Sequence, residues 1–199
     1  MRHTPEYFDA MFTGDDDPWR FRSRWYEERK RAITVACLAS PRYAIAYEPG
    51  CANGELSAVL AERCDRLLVS DGSAKAIEVA RQRLREFEHV TVTQRWLPAQ
   101  WPTESFDLVV VSELGYFLSG ADLAALAAKT LDSLREGGSV LAVHWRWKSD
   151  DCEFDGAEVH RRLEGALALP RLLHMEDRDF IADLWCRDPR SVAQREGLV

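Results

Sequence analysis

Ala44-Ile45-Ala46-Tyr47-Glu48-Pro49-Gly50-Cys51-Ala52-Asn53-Gly54 is a short apolar run that closes on an acid and breaks into a glycine-bearing turn. The run reads as a buried strand, and the spacing of apolar residues after the turn predicts a helix over 55–63. The pattern then repeats. Residues 66–70 form a second apolar run ending at Asp71, Gly72-Ser73 punctuates it, and 74–86 places Ala76, Ile77, Ala80 and Leu84 on one helical face behind Ser73 as N-cap. A β-rich run follows at Val90-Thr91-Val92-Thr93. Phe106-Asp107-Leu108-Val109-Val110-Val111 is the most continuous apolar run in the chain and is expected at the sheet centre, where strands are covered on both faces. Residues 122–135 have helical spacing with Gly137-Gly138 as the expected stop, and 139–145 supply a fifth strand.

This alternation predicts an α/β fold, a mostly parallel sheet with helices on both faces. Beyond a helix over 157–168, the runs 171–175 and 180–186 flank the polar turn Glu176-Asp177-Arg178-Asp179, which predicts an antiparallel hairpin at the sheet edge. The 199 residues suit one domain. It divides into a helical N-terminal lid (1–40), an α/β core (41–150), and a helix with the terminal hairpin (151–199), and the polar residues 191–199 are expected to fray.

Composition narrows the function. With 46% hydrophobic and 30% charged residues the chain has enough apolar material for a core. A net charge of −7 argues against nucleic-acid binding, which requires cations to displace phosphate counterions. No apolar run reaches the ~20 residues of a membrane span, and the first residues carry no apolar leader core, so a cytoplasmic protein is expected. The five cysteines, an odd number without a C-x-x-C pair, read as free thiols. Neither they nor His3, His89 and His174 have the spacing of a metal site, so none is expected. The aromatic and basic stretch 19–31 fits either the solvated face of an amphipathic helix or a cover over an anionic or aromatic ligand.

In open α/β sheets a ligand lies beyond the carboxyl ends of the strands, against the glycine turn, with an acid about 20 residues further on for the ribose. Asp71 stands 23 residues after Glu48, so an adenosine-containing ligand is expected. Gly50 and Gly54 are four apart with Ala52 between them, which is not the G-x-G-x-x-G of dinucleotide binding. The loop resembles instead the acid-x-Gly-x-Gly-x-Gly motif of class I S-adenosylmethionine-dependent methyltransferases, with Ala52 at the middle glycine. A more specific resemblance, to the NodS-type nodulation N-methyltransferases, is carried by four stretches. These are Asp17-Pro18-Trp19-Arg20-Phe21-Arg22-Ser23-Arg24-Trp25-Tyr26-Glu27, Glu48-Pro49-Gly50-Cys51, Ser112-Glu113-Leu114-Gly115-Tyr116-Phe117-Leu118, and His144-Trp145-Arg146.

The resemblance implies a Rossmann-like, seven-stranded, mostly parallel sheet with a reversed seventh strand. It also implies methyl transfer from S-adenosylmethionine, in that family to the amine of a de-N-acetylated chitooligosaccharide, so a small amino-sugar acceptor is expected here. Glu48 then holds the methionine amino end, or else merely caps the following helix. Gly50, Cys51 and Gly54 line the methionine, Asp71 takes the ribose with Gly72 and Ser73 beside it, and Trp96 and Leu97 sandwich the adenine unless Trp96 is core. Ser112 ends the fourth strand at the cofactor. Trp19, Tyr26 and Arg29 come from a segment that folds over the cofactor, with Arg29 paired to the methionine carboxylate. Glu113 and His144 are the candidate acid–base groups for an amine that must attack unprotonated. Tyr116, Trp145 and His160 are the candidate acceptor contacts, with packing the alternative for each. Two rivals stand beside this reading: a non-catalytic S-adenosylmethionine sensor or scaffold of the same fold, and a nucleotide-dependent oxidoreductase. Trp19, Trp25 and Trp101 leave monomer and homodimer equally open.

Overall fold

The computed structural model describes residues 3–199. Two helices, α1 (Pro5–Met11) and α2 (Trp25–Ala36), precede β1 (Tyr43–Pro49), α3 (Glu55–Ala61), β2 (Cys64–Asp71), α4 (Ala74–Leu84), β3 (Val90–Gln94) and β4 (Phe106–Ser112). A single 3-10 turn (Gly115–Phe117) leads to α5 (Gly120–Ser133), β5 (Leu134–Trp145), α6 (Gly156–Leu167), β6 (Arg171–Glu176), β7 (Phe180–Cys186) and α7 (Val192–Arg195). The helix starts are chemically marked: Ser73, Ser119 and Asp155 each accept a backbone N–H of the first turn.

The strands form one sheet in the order β3-β2-β1-β4-β5-β7-β6. Six run the same way and β7 runs against them, antiparallel to both β5 and β6. This is the seven-stranded, mostly parallel sheet with a reversed seventh strand that the resemblance implies. The hairpin is therefore not simply appended: β7 is threaded inside and β6 forms the edge. The side chains explain the choice, since every residue of β7 is buried whereas β6 alternates between half-buried and exposed.

Apolar side chains fill both faces. Leu60, Leu67, Ile77 and Leu84 belong to one cluster, and Tyr47, Phe106, Leu126, Leu163 and Trp185 to the other. The five cysteines are free and buried. Among the described residues no helix is long and apolar enough to cross a membrane.

Two local expectations change. Gly137-Gly138 does not stop α5. The helix ends at Ser133, and the glycines lie within β5, where Phe106 pairs with Leu134 but Leu108 pairs with Ser139. The surplus residues bulge out, and Gly137 takes a left-handed conformation (φ 69°) that glycine adopts without strain. The basic stretch becomes helical only from Trp25, because the Asp17 carboxylate captures the N–H groups of Phe21 and Arg22 in a turn (2.8 and 3.0 Å). Within the polar C-terminal stretch, residues 192–195 form a short helix, with Ser191 and Gln194 capping one another.

The N-terminal segment lies across the carboxyl ends of the strands. Asp9 accepts from Ser73 Oγ (2.5 Å), Asn53 donates to Asp17 (2.9 Å), and Tyr7 donates to Asp151 Oδ2 (3.2 Å). Its anchors therefore reach from the start of α4 to the segment after β5.

Phe106 has no exposed surface and stacks on Tyr47 with ring centres 5.1 Å apart. Phe106→Ala is expected to destabilise the protein by about 3–5 kcal/mol, through lost burial and the cavity left behind, read as a lower urea midpoint at unchanged m-value.

Candidate functional site

The strand order reverses between β1 and β4, so the chains leaving these two strands part and open a crevice. A Cβ built on Gly50 would come within 3.3 Å of Leu114, which marks where the two loops meet. Above them lies a cavity of about 1070 Å³, roofed by the N-terminal segment.

One end is built from the glycine loop and the end of β2. The N–H groups of Gly50 and Cys51 both donate to the Ser70 carbonyl (2.7 and 2.9 Å). Asp71 Oδ2 accepts from the Ala52 N–H (3.0 Å) and Oδ1 from the Ser73 N–H (2.9 Å). A carboxylate has about four acceptor positions, so each oxygen keeps one for a ligand. Burial raises the Asp71 carboxyl above its ordinary range, against the backbone donors. Glu48 is buried and accepts from Ser57 Oγ (2.5 Å), and burial pushes its carboxyl up to about 8. Asn53 directs its Nδ2 to Asp17 while its Oδ1 has no partner among the described residues.

Gly72 lets Trp96 press against the backbone, since a Cβ there would sit 2.5 Å from the indole. Trp96 and Leu97 then wall the cavity beside Asp71, while Phe8 packs on Trp96 at 6.4 Å between ring centres. Cys51, Ser112 and Trp19 also line this space. Burial raises the Cys51 thiol well above its usual range, which disfavours the thiolate needed for nucleophilic chemistry.

The other end is polar and aromatic. Glu113, in the left-handed conformation (φ 53°), turns its carboxylate into a set of donors. Oε1 accepts from Lys30 Nζ (2.8 Å), and Oε2 accepts from the Trp145 N–H (3.1 Å) and the Tyr116 hydroxyl. Lys30 also reaches Glu27 (3.0 Å) and lies over the Tyr26 ring. Burial raises Glu27 despite Lys30; burial lowers Lys30, but the two carboxylates outweigh it and raise it overall. The Tyr26 hydroxyl is buried without a partner among the described residues, although its ring lines the cavity with Tyr116 and Trp145.

Five expected residues lie elsewhere. Arg29 turns away to Asp177 in the β6–β7 turn (2.7 Å), because the helical repeat of α2 aims Glu27, Lys30 and Thr34 at the cavity and Arg29 at the hairpin. Ser73 caps α4 behind the cavity wall. Gly54 (φ 81°) starts α3 and packs against Ala80, where a Cβ would come within 3.3 Å. His144 and His160 are buried and hydrogen-bonded to one another (3.1 Å) outside the cavity, so neither is available there as a base.

Sequence reasoning missed Glu27 and Lys30. The signal was present as a charged i, i+3 pair on the face of α2 that also bears Thr34, but charges on a helix read by default as solvated.

The family described as Nodulation protein S (NodS) matches residues 13–142. The chain is 33% identical to Nodulation protein S of Rhizobium tropici over 128 residues, 63% of this chain and 54% of that protein. It is 37% identical to that of Sinorhizobium fredii over 116 residues, covering 56% and 51%. The chain thus spans about half the length of these curated relatives. Among solved structures, a Pseudomonas syringae protein described as a candidate methyltransferase is 49% identical, with a TM-score of 0.75 over 82% of this chain and 100% of that one. The N-methyltransferase NodS of Bradyrhizobium japonicum WM9, in complex with S-adenosylhomocysteine, has a TM-score of 0.77 at 23% identity, covering 94% and 100%.

Ala52 holds a left-handed backbone (φ 47°) in the middle of the glycine loop, a conformation that costs an L-residue about 1–2 kcal/mol. Ala52→Gly is expected to raise stability by up to about 1 kcal/mol, the looser unfolded chain offsetting part of the gain. Ala52→Val is expected to lower it, and urea denaturation of the pair checks both signs.

Proposed function

This chain belongs to the NodS family, and from that premise we propose that it transfers a methyl group from S-adenosylmethionine to the amine of a small amino-sugar or chitooligosaccharide-like acceptor. The observation that carries the reading is a single cavity with Asp71 and Glu48 at one end and Glu113 at the other. Its first end suits the cofactor: a ribose hydroxyl pair for Asp71, an apolar slot at Trp96 and Leu97, and buried acceptor oxygens on Glu48 and Asn53 for an ammonium group. Gly50, Cys51 and Ser112 supply the wall between, and Trp19 and Tyr26 the cover.

The cofactor supplies an electrophilic methyl on a sulfonium. The protein's task is to hold the acceptor nitrogen in line with it, dry and unprotonated. Glu113 suits that task because Lys30, Tyr116 and the Trp145 N–H fix its carboxylate without covering the whole of it. The Glu113 carboxylate at this end favours the positive charge that grows on a nitrogen as it gains a methyl group. Tyr116, Trp145 and the unpartnered Tyr26 hydroxyl offer faces and a donor to a hydroxyl-rich acceptor. The sensor reading differs in outcome, as cofactor binding without transfer.

Titration calorimetry with S-adenosylhomocysteine is expected to give micromolar binding, weakened at least about tenfold by Asp71→Ala, the loss of a charge-assisted hydrogen bond pair. Labelled S-adenosylmethionine is expected to methylate deacetylated chitooligosaccharide. Absence of S-adenosylhomocysteine binding overturns the whole reading, and binding without transfer overturns the acceptor.

Glu48 adds a proton signature. With its carboxyl pushed up to about 8, it is mostly protonated at pH 7, and an ammonium beside it favours the carboxylate. Binding of S-adenosylhomocysteine at pH 7 is therefore expected to release close to one proton, seen as a binding enthalpy that varies with buffer ionisation heat. Glu48→Gln is expected to abolish that variation. In the free protein the same raised value gives a stability contribution that is complete below about pH 4.5 and lost as pH rises through about 8.

A further inference from the structure

Behind the acceptor end, outside the cavity, a string of side chains crosses from the sheet edge to the turn that follows β4. His144 Nε2 accepts from the Gly115 N–H (3.0 Å), His144 Nδ1 meets His160 Nε2 (3.1 Å), and His160 Nδ1 meets Asp183 Oδ2 (2.6 Å). Asp183 Oδ1 takes His174 Nδ1 (2.8 Å), with Arg171 3.6 Å away. His144, His160 and Asp183 are all buried, and Gly115 is pressed so close that a Cβ would fall 2.4 Å from Val159 and 3.0 Å from His144 Nε2.

The direction of every proton in this string follows from its two ends. A backbone N–H can only donate, so His144 Nε2 must be a lone pair and, in a neutral ring, Nδ1 carries the hydrogen. That hydrogen points at His160 Nε2, which must then accept, leaving the His160 hydrogen on Nδ1 to meet a carboxylate that can only accept. Burial lowers the His144 ring well below the usual imidazole range, which keeps it neutral. Burial opposes ionisation of Asp183, but the hydrogen bonds from His160 and His174 outweigh it and hold its carboxyl below the ordinary range.

The turn at the other end carries Glu113 and Tyr116, the two residues that face the acceptor under the function proposed above, on which this inference rests. Glu113 sits in a left-handed conformation that persists only where its surroundings impose it. The Gly115 N–H is the first backbone donor beyond Leu114. We propose that Asp183, His160 and His144 are positioning residues, which hold the turn bearing Glu113 and Tyr116 in register with the acceptor by fixing the proton direction of this string. They touch neither acceptor nor cofactor.

The test compares Asp183→Asn, His144→Gln and His144→Leu with the wild type in three readouts: imidazole proton–nitrogen correlation spectra, hydrogen exchange of the Gly115 amide, and kinetics on deacetylated chitooligosaccharide. In the wild type both His144 and His160 are expected with the hydrogen on Nδ1. In Asp183→Asn the side-chain amide can present its NH₂ to His160, which reverses the string and leaves an Nε2–H on His144 opposing the Gly115 N–H. Gly115 exchange should then quicken at least about tenfold, and kcat should fall about 10–100-fold, while S-adenosylhomocysteine affinity stays within about threefold, the mark of an interaction used only on the acceptor side. His144→Gln, whose amide oxygen can take the Gly115 N–H, should keep kcat within about fivefold, and His144→Leu should not.

Hydrogen on Nε2 of His144 in the wild type, or Gly115 exchange unmoved in His144→Leu, overturns the inference. So does a loss of S-adenosylhomocysteine affinity in step with kcat. A wild type that binds S-adenosylhomocysteine and methylates no chitooligosaccharide overturns the acceptor reading instead, while the spectra and the Gly115 exchange still decide whether the string holds the turn.

Discussion

The carboxylate of Asp71 holds together two turns that otherwise share no covalent neighbour. One oxygen takes the N–H of Ala52 in the loop after β1, and the other takes the N–H of Ser73 at the head of α4. The adjacent Ser70 carbonyl secures Gly50 and Cys51 to the same strand end. With the loop fixed there, Leu114 can close on Gly50, Trp96 can lie on Gly72, and Ser73 can reach Asp9 in the N-terminal segment. The glycine loop, the wall formed by Trp96 and the cover are thus all referred to one strand terminus, where backbone donors offset part of the desolvation that raises the half-buried Asp71 carboxyl.

Much of this was legible in the chain. The β1 run, its glycine turn and the second acid follow from local patterning, since a buried strand, a left-handed turn and a strand-end carboxylate each have a composition of their own. β7 was also legible as a strand, from Phe180 to Cys186, though its place inside the sheet was not. Strand order depends on which faces are covered, and only the contrast with the half-exposed β6 reveals it.

The site divides the same way. Glu48, Asp71, Trp96 and Glu113 line the cavity as their positions at strand ends suggested. His144 did not behave as expected, because a strand end has two sides. Glu113 turns into the cavity, whereas His144, one residue before Trp145, points to the opposite face and meets α6. Alternation alone cannot say which face is the functional one. Arg29 failed for a similar reason: one residue along a helix is a rotation of about 100°, enough to exchange the cavity for the hairpin turn. Lys30, its neighbour, turns into the cavity instead.

The threading of β7 between β5 and β6 has a consequence for how the molecule is completed. In chain order β7 is the last of the seven strands to be synthesised, yet it lies inside the sheet. Until it docks, β5 exposes an unpaired edge along 139–145, a template for foreign strands. The loop after β1 and the end of β2 need only earlier parts of the chain, whereas Asp183 arrives with β7. A nascent chain can therefore bring out every residue that lines the cavity, the last being Phe154, well before β7 covers the β5 edge, and chaperone shielding would bear most heavily on that late interval.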